Sequence, residues 1–217
     1  MQHEFWHQRW QDNKIGFHQF IPSPLLVEHF NQLNLNAHAR IFVPLSGKTL
    51  DIGWFLQQEY KVVAIELSHI AVKSLIEQLA KDFEIHFEVS HHHDLIYYHH
   101  PQIDLYVGDF FNLSHTELGH VDAIYDRAAL IALPDAIRFN YAKHLVEITN
   151  TAPQFLISYE YDAGSHEGPP FSVNQAEIQM LYAKTYNLKR IQEQWVDPIK
   201  NKGNNPKSTV WQLTAKL

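Results

Sequence analysis

Four ionisable residues stand where an α/β enzyme does its chemistry: Glu66, Asp109, Asp126 and Arg127. Each closes or follows an apolar run of strand length. In an open α/β sheet, ligands sit just beyond the carboxyl ends of the strands. Glu66 ends KVVAIE, about 20 residues beyond the glycine of PLSGKT, where a carboxylate accepts two hydrogen bonds from a vicinal ribose diol. A solvated strand end is the alternative reading. Asp109, in VGDFFNL, either accepts from an adenine amino group or caps the turn before FFNLS.

The turn PLSGKT itself lacks the G-x-G-x-x-G of a dinucleotide fold and the full G-x-x-x-x-G-K-[ST] of a P-loop. Gly47 still permits close backbone approach by a ligand. Phe5, Trp6, Trp10, Phe17 and Phe20 crowd the amino-terminal region. A ring face attracts a sulfonium or other cation by roughly 0.5–2 kcal/mol; the same rings can simply pack against a sheet. His91, His92, His93, His99 and His100 invite a metal hypothesis. Adjacent histidines on a strand point to opposite faces, however, and no HExxH spacing occurs. That stretch reads as a solvated loop, and no metal is expected. Ser46, Ser158 and Ser172 lie outside any G-x-S-x-G context.

The elements that must hold these residues are legible from periodicity. Apolar runs over 39–45, 61–67, 103–107, 121–125 and 155–161 suit strands covered on both faces. Helical spacing follows the first run (Leu50, Trp54, Phe55), the second (Ile70 to Leu79, capped by Ser68) and Pro134 (136–149). Asn174 caps a helix over 174–185, and 188–196 and 208–214 alternate as late strands. Strand–helix alternation ending in two strands predicts a doubly wound, mostly parallel α/β sheet with an antiparallel edge hairpin.

The 217 residues fit one domain, 1–217, and 45% hydrophobic residues supply a core. With 17 basic against 24 acidic residues and no basic stripe, a nucleic-acid partner is not expected. The absence of cysteine excludes disulfides, thiolate metal sites and a cysteine nucleophile. MQHEFWHQRWQDNK has no signal-peptide pattern, and no apolar run approaches the roughly 18 residues of a membrane span. A soluble, cytoplasmic protein without a membrane partner is the expectation, monomeric by default.

Five segments then carry a resemblance. WQDNKIGFHQ from Trp10, IFVPLSGKTLDIGWFLQQEYKVVAIELSHIAV, VGDFFNL, YDRAALIALP and GPPFSV occur in this order between about Trp6 and Val173. Together they resemble the motif series of thiopurine S-methyltransferases, especially the bacterial ones. The resemblance implies a Rossmann-like class I methyltransferase fold, with seven strands and an antiparallel edge strand. It also implies S-adenosylmethionine as methyl donor, S-adenosylhomocysteine as product, and residues 1–36 as an N-terminal helical lid. The family's P-L-C-G-K-S turn explains the failed dinucleotide match. Ser46 and Thr49 stand where the family usually has Cys and Ser, and SHHHDLIYYHHP is longer and richer in histidine than the family pattern.

Carried over, the resemblance implies cofactor contacts at Trp10, Leu45, Gly47, Glu66, Asp109, Phe110 and Arg127. It puts Phe17 and Arg127 on the acceptor side, and leaves Lys200, Lys202 and Lys207 as candidates for a basic residue before the final strand. The implied reaction moves a methyl group to the sulfur of a thiopurine or similar small thiol. Arg127 would favour the thiolate; Asp126 would orient Arg127, relay a proton, or form a structural pair with it. Two alternatives remain at this point: an enzyme for selenium or tellurium compounds or other small nucleophiles, and a non-catalytic S-adenosylmethionine-binding protein.

Overall fold

The computed structural model describes residues 3–162, 164–198 and 205–216. The amino-terminal arm carries α1 (His3–Gln11) and α2 (Pro24–His29). Pro24 opens α2, where its missing N–H is no loss. Then come β1 (Arg40–Pro44), α3 (Asp51–Gln57), β2 (Lys61–Glu66) and α4 (His69–Phe83). Ser68 caps α4, its Oγ accepting from Ala71 N at 3.4 Å. The hairpin β3 (Glu88–His92) and β4 (Leu95–His100) leads into β5 (Ile103–Val107). A short α5 (His115–Leu118), fixed by a Ser114/Glu117 capping box, precedes β6 (Ala123–Arg127). The chain ends with α6 (Asp135–Ile148), β7 (Gln154–Glu160), α7 (Gln175–Tyr182), β8 (Tyr186–Trp195) and β9 (Lys207–Ala215). Asn174 caps α7 through Glu177 N at 2.9 Å.

The strands form one sheet in the order β3-β4-β5-β2-β1-β6-β7-β9-β8. The five central strands are parallel, with antiparallel pairs at both flanks. This is the doubly wound α/β architecture that the run pattern predicts, including the terminal hairpin. Nine strands replace the expected seven, because the His-rich stretch 91–100 is a hairpin rather than a loop. Its apolar positions alternate: Leu95 and Tyr97 pack on one sheet face, Ile96 and Tyr98 on the other. Tyr97 stacks on Tyr106 at 4.8 Å, and β4 pairs along the whole of β5. The backbone groups at that edge are thereby satisfied. Among the described residues, no three potential ligands cluster around a metal-sized space, and no helix is long and apolar enough to cross a membrane.

Strand alternation gives the sheet two apolar faces. Ile41, Val43, Val62 and Ala64 face the layer of α2, α3 and α4; Phe42, Val63 and Ile65 face that of α5, α6 and α7. Phe30, just after α2, is the hub of the first layer, in edge contact with Trp54, Phe55, Tyr60, Tyr125 and Phe155. Burying such a ring contributes about 1.5–3 kcal/mol. Residues 24–33 of the anticipated 1–36 lid are therefore built into the core, while α1 and the segment after it reach over the ends of β1 and β6.

Candidate functional site

β1 and β6 are neighbours, yet the chain runs from β1 to β2 on one side and from β6 to β7 on the other. Their carboxyl-end loops diverge, and the crevice between them is where an open α/β sheet binds ligands. A cavity occupies it. Its floor is the turn Leu45–Thr49, its sides carry Glu66, Arg127, Ser158 and Tyr159, and α1 with residues 16–19 closes it from above.

The floor depends on two left-handed residues. Leu45 has φ +47° and Gly47 φ +56°. For a non-glycine residue that conformation costs roughly 1–2 kcal/mol. The turn brings Ser46 N onto Ile65 O at 3.0 Å and Gly47 N onto Glu66 Oε2 at 2.7 Å. A Cβ on Gly47 would lie 3.3 Å from Trp10 Cζ2, so glycine is needed for both backbone conformation and space. Trp10 is buried against this turn.

Glu66 is 7% exposed and fixed before any ligand arrives. Its Oε1 accepts from Ser68 N at 2.8 Å, while Oε2 holds Gly47 N. Burial pushes its carboxyl above the ordinary range, and the backbone donors of Ser68, Gly47 and Leu67 oppose that rise. An ionised carboxylate offers about four acceptor sites. The hydrogen bonds from Gly47 N and Ser68 N leave acceptor capacity for ribose hydroxyls.

Arg127 is held from behind by Asp51 at the start of α3, with Nη1 to Oδ2 at 3.0 Å. The same carboxylate accepts from Tyr125 Oη at 2.9 Å and from Ser23 N at 2.7 Å. Asp51 is 1% exposed, a buried carboxylate with three donors, while the partly exposed guanidinium it holds reaches the cavity. Arg9, Lys48 and Arg127 are the cations lining the cavity, against the single carboxylate Glu66 among the described residues. A chain of net charge −7 thus turns a locally positive face toward its crevice.

Asp126 does not reach Arg127, because neighbouring residues on a strand point to opposite faces. Fully buried, it accepts from Tyr141 Oη at 2.7 Å and from Leu130 N at 3.1 Å, bracing the turn after β6. The pairing expected with Arg127 belongs to Asp51 instead. Burial pushes the Asp126 carboxyl up to about 6. With the folded value raised above the unfolded value of about 3.9, the native state binds this proton more tightly. The contribution is therefore greatest below about pH 4, falls as pH rises to about 6, and is flat beyond. Denaturation of wild type and Asp126→Asn across this range is expected to show wild-type stability declining by of order 3 kcal/mol relative to the variant. Parallel pH profiles for the two proteins would contradict it.

The structure brings Trp10, Phe17, Leu45, Gly47, Glu66 and Arg127 together around the cavity. Phe17 stands edge-on to Trp10 and Trp6 at 5.6 and 5.8 Å. Asp109 and Phe110 do not line it. Asp109 caps its own turn through Phe111 N at 3.0 Å, and His3 Nε2 of α1 lies 2.7 Å from its other oxygen. Phe110 packs in the core beside Tyr141 and His144. Lys207 lies over the Trp195 ring and 3.7 Å from Glu193 on the terminal hairpin, while Lys200 and Lys202 fall outside the described residues. Sequence reasoning missed Arg9, His18, Asp51 and Tyr159. His18 directly follows Phe17 and was findable; Asp51 offers no local signal, since its partners are 28, 74 and 76 residues away.

Comparison with known proteins bears on this geometry. The family model described as thiopurine S-methyltransferase matches residues 1–216. A thiopurine S-methyltransferase of Acinetobacter baylyi is 70% identical over 217 residues, covering 100% of both chains. One of Teredinibacter turnerae is 42% identical, covering 90% of this chain and 89% of its own. Among solved structures, Burkholderia thailandensis 1,6-didemethyltoxoflavin-N1-methyltransferase, with bound 1,6-didemethyltoxoflavin and S-adenosylhomocysteine, shares the fold. Its TM-score is 0.65 at 13% identity, covering 98% of this chain and 87% of that one. The chain belongs to the thiopurine S-methyltransferase family and is an S-adenosylmethionine-dependent S-methyltransferase.

Proposed function

We propose that this crevice binds S-adenosylmethionine beside a thiopurine or similar small thiol, and that the acceptor sulfur is methylated there. The observation that carries the reading is Glu66, a buried carboxylate already oriented by Gly47 N and Ser68 N at the sheet's switch point. The cradle fits the donor: Gly47 keeps the turn clear of a side chain, Trp10 supplies an apolar wall, and Glu66 retains acceptor capacity for ribose hydroxyls. When bound, the donor supplies an electrophilic methyl carbon. The residues around it orient the reactants, bringing the reacting atoms to roughly 3–3.5 Å. α1 and residues 16–19 cover the cavity and exclude water. In this reading they form the mobile part of the N-terminal lid. Arg127, held by Asp51, favours the ionised acceptor sulfur.

The test is a panel of small thiols, thiopurines included, assayed with radiolabelled S-adenosylmethionine. Wild type is expected to methylate members of the panel, and Arg127→Ala to lower kcat/KM at least tenfold, as loss of one charge-assisted contact implies. Arg127→Lys keeps a cation on Asp51 and serves as the folding control. No sulfur methylation by wild type overturns the reading; unchanged kinetics in Arg127→Ala remove that residue from the acceptor site.

A further inference from the structure

The crevice also carries an imidazole with no role in the scheme above. His18 lines it next to Phe17, on a turn whose backbone is pinned by His18 N to Ile15 O at 2.8 Å. The ring lies edge-on to Phe20 at 5.5 Å and makes no hydrogen bond or ion pair with the described residues. Methylating an un-ionised thiol releases one proton, which needs an acceptor inside the covered site.

The other groups on the wall are poor candidates. Glu66 is committed to Gly47 N and Ser68 N, and Asp126 faces the opposite side of the sheet. Arg127, Arg9 and Lys48 are cations without a free lone pair.

We propose that His18 is the base that takes the proton of thiol acceptors not already ionised at neutral pH. The proposal rests on the methyltransferase reading above. As the acceptor S–H bond breaks, its proton passes to an imidazole nitrogen and the electron pair stays on sulfur. That pair bonds to the methyl carbon, and the pair of the broken carbon–sulfur bond returns to the donor sulfur. One imidazolium is left, and the partly exposed ring can pass its proton to water.

The electrostatics suit this cycle. Partial burial first, then the charges of Lys48 on the β1 turn and Arg127 at the end of β6, hold the imidazole below its ordinary value. It is therefore uncharged when the acceptor arrives, and the same cations hasten loss of the proton it takes up. Arg9 of α1 and Glu66 of β2 complete the charged groups of the wall.

Two acceptors separate this role from a structural one. 2-Nitro-5-thiobenzoate is an aromatic thiol already ionised at assay pH; 2-mercaptoethanol is largely protonated. His18→Gln is expected to lower kcat at least tenfold with 2-mercaptoethanol while leaving the aromatic thiolate within twofold. Proton NMR of the ligand-free protein supplies a readout besides turnover. The imidazole resonance missing from His18→Gln should titrate below the ordinary histidine value in wild type. Equal losses with both thiols, or no loss with either, overturn the proposal, as does a resonance titrating at or above the ordinary value. If wild type methylates neither thiol while methylating the wider panel, this proposal alone fails; if it methylates nothing, the functional reading fails with it.

Discussion

Asp51→Ala is expected to be among the most damaging single substitutions in the protein, lowering unfolding free energy by about 3–5 kcal/mol. Three donors converge on that carboxylate: Arg127 Nη1, Tyr125 Oη and Ser23 N. Alanine takes the anchor from a guanidinium on the cavity wall and leaves two buried donors, Tyr125 Oη and Ser23 N, without that acceptor. Removing one partner from a buried ion pair is strongly destabilising because the remaining charge is uncompensated. Asp51→Asn still offers one oxygen and should lose less. Urea denaturation of the three proteins measures the difference; a loss under 1 kcal/mol for the alanine variant would show that the pair is not a structural keystone. Methyl transfer should fall in both variants, since Arg127 then lacks its anchor.

Glu66→Gln should weaken S-adenosylhomocysteine binding by at least about 100-fold, measured by calorimetry, at two charge-assisted hydrogen bonds of roughly 1.5–3 kcal/mol each. The substitution preserves shape but turns one acceptor oxygen into a donor facing Gly47 N or Ser68 N. The pH dependence has a definite sign. The ionised carboxylate is the binding form, and burial raises its pKa. Wild-type affinity should therefore begin to fall, as pH is lowered, at a higher pH than an ordinary carboxylate's 4.3 or so. The glutamine variant should show no such limb. Equal affinity of the two proteins near neutral pH would remove Glu66 from the donor site.

Most of the sheet was readable because parallel strands covered on both faces are apolar through their middles, as 41–43 of β1, 62–65 of β2 and 123–125 of β6 are. Gly47 and Glu66 were readable for the same reason, since strand ends fix where ligands bind. The hairpin at 88–100 hid behind its histidines, whose polarity masked an alternation that becomes clear once Tyr97 is seen stacked on Tyr106. Asp126 was set against Arg127 by adjacency in sequence, although a strand's period of two separates them. Asp51 and the partnership it forms arise only when α3, β6 and the arm meet. His18 was one of 16 histidines, and its place directly after Phe17 was the local signal that marked it out.

The arm is fastened by Trp10 against the Gly47 turn and by Ser23 and Phe30 in the core, with residues 11–22 strung between them. A chain tied at both ends can lengthen cheaply, because doubling such a span costs only about 0.6 kcal/mol in closure entropy. Insertions there would enlarge the chamber around Phe17 and His18 without touching the floor that grips the donor. Acceptor preference is thus free to drift among descendants of this sequence while the methyl supply stays constant.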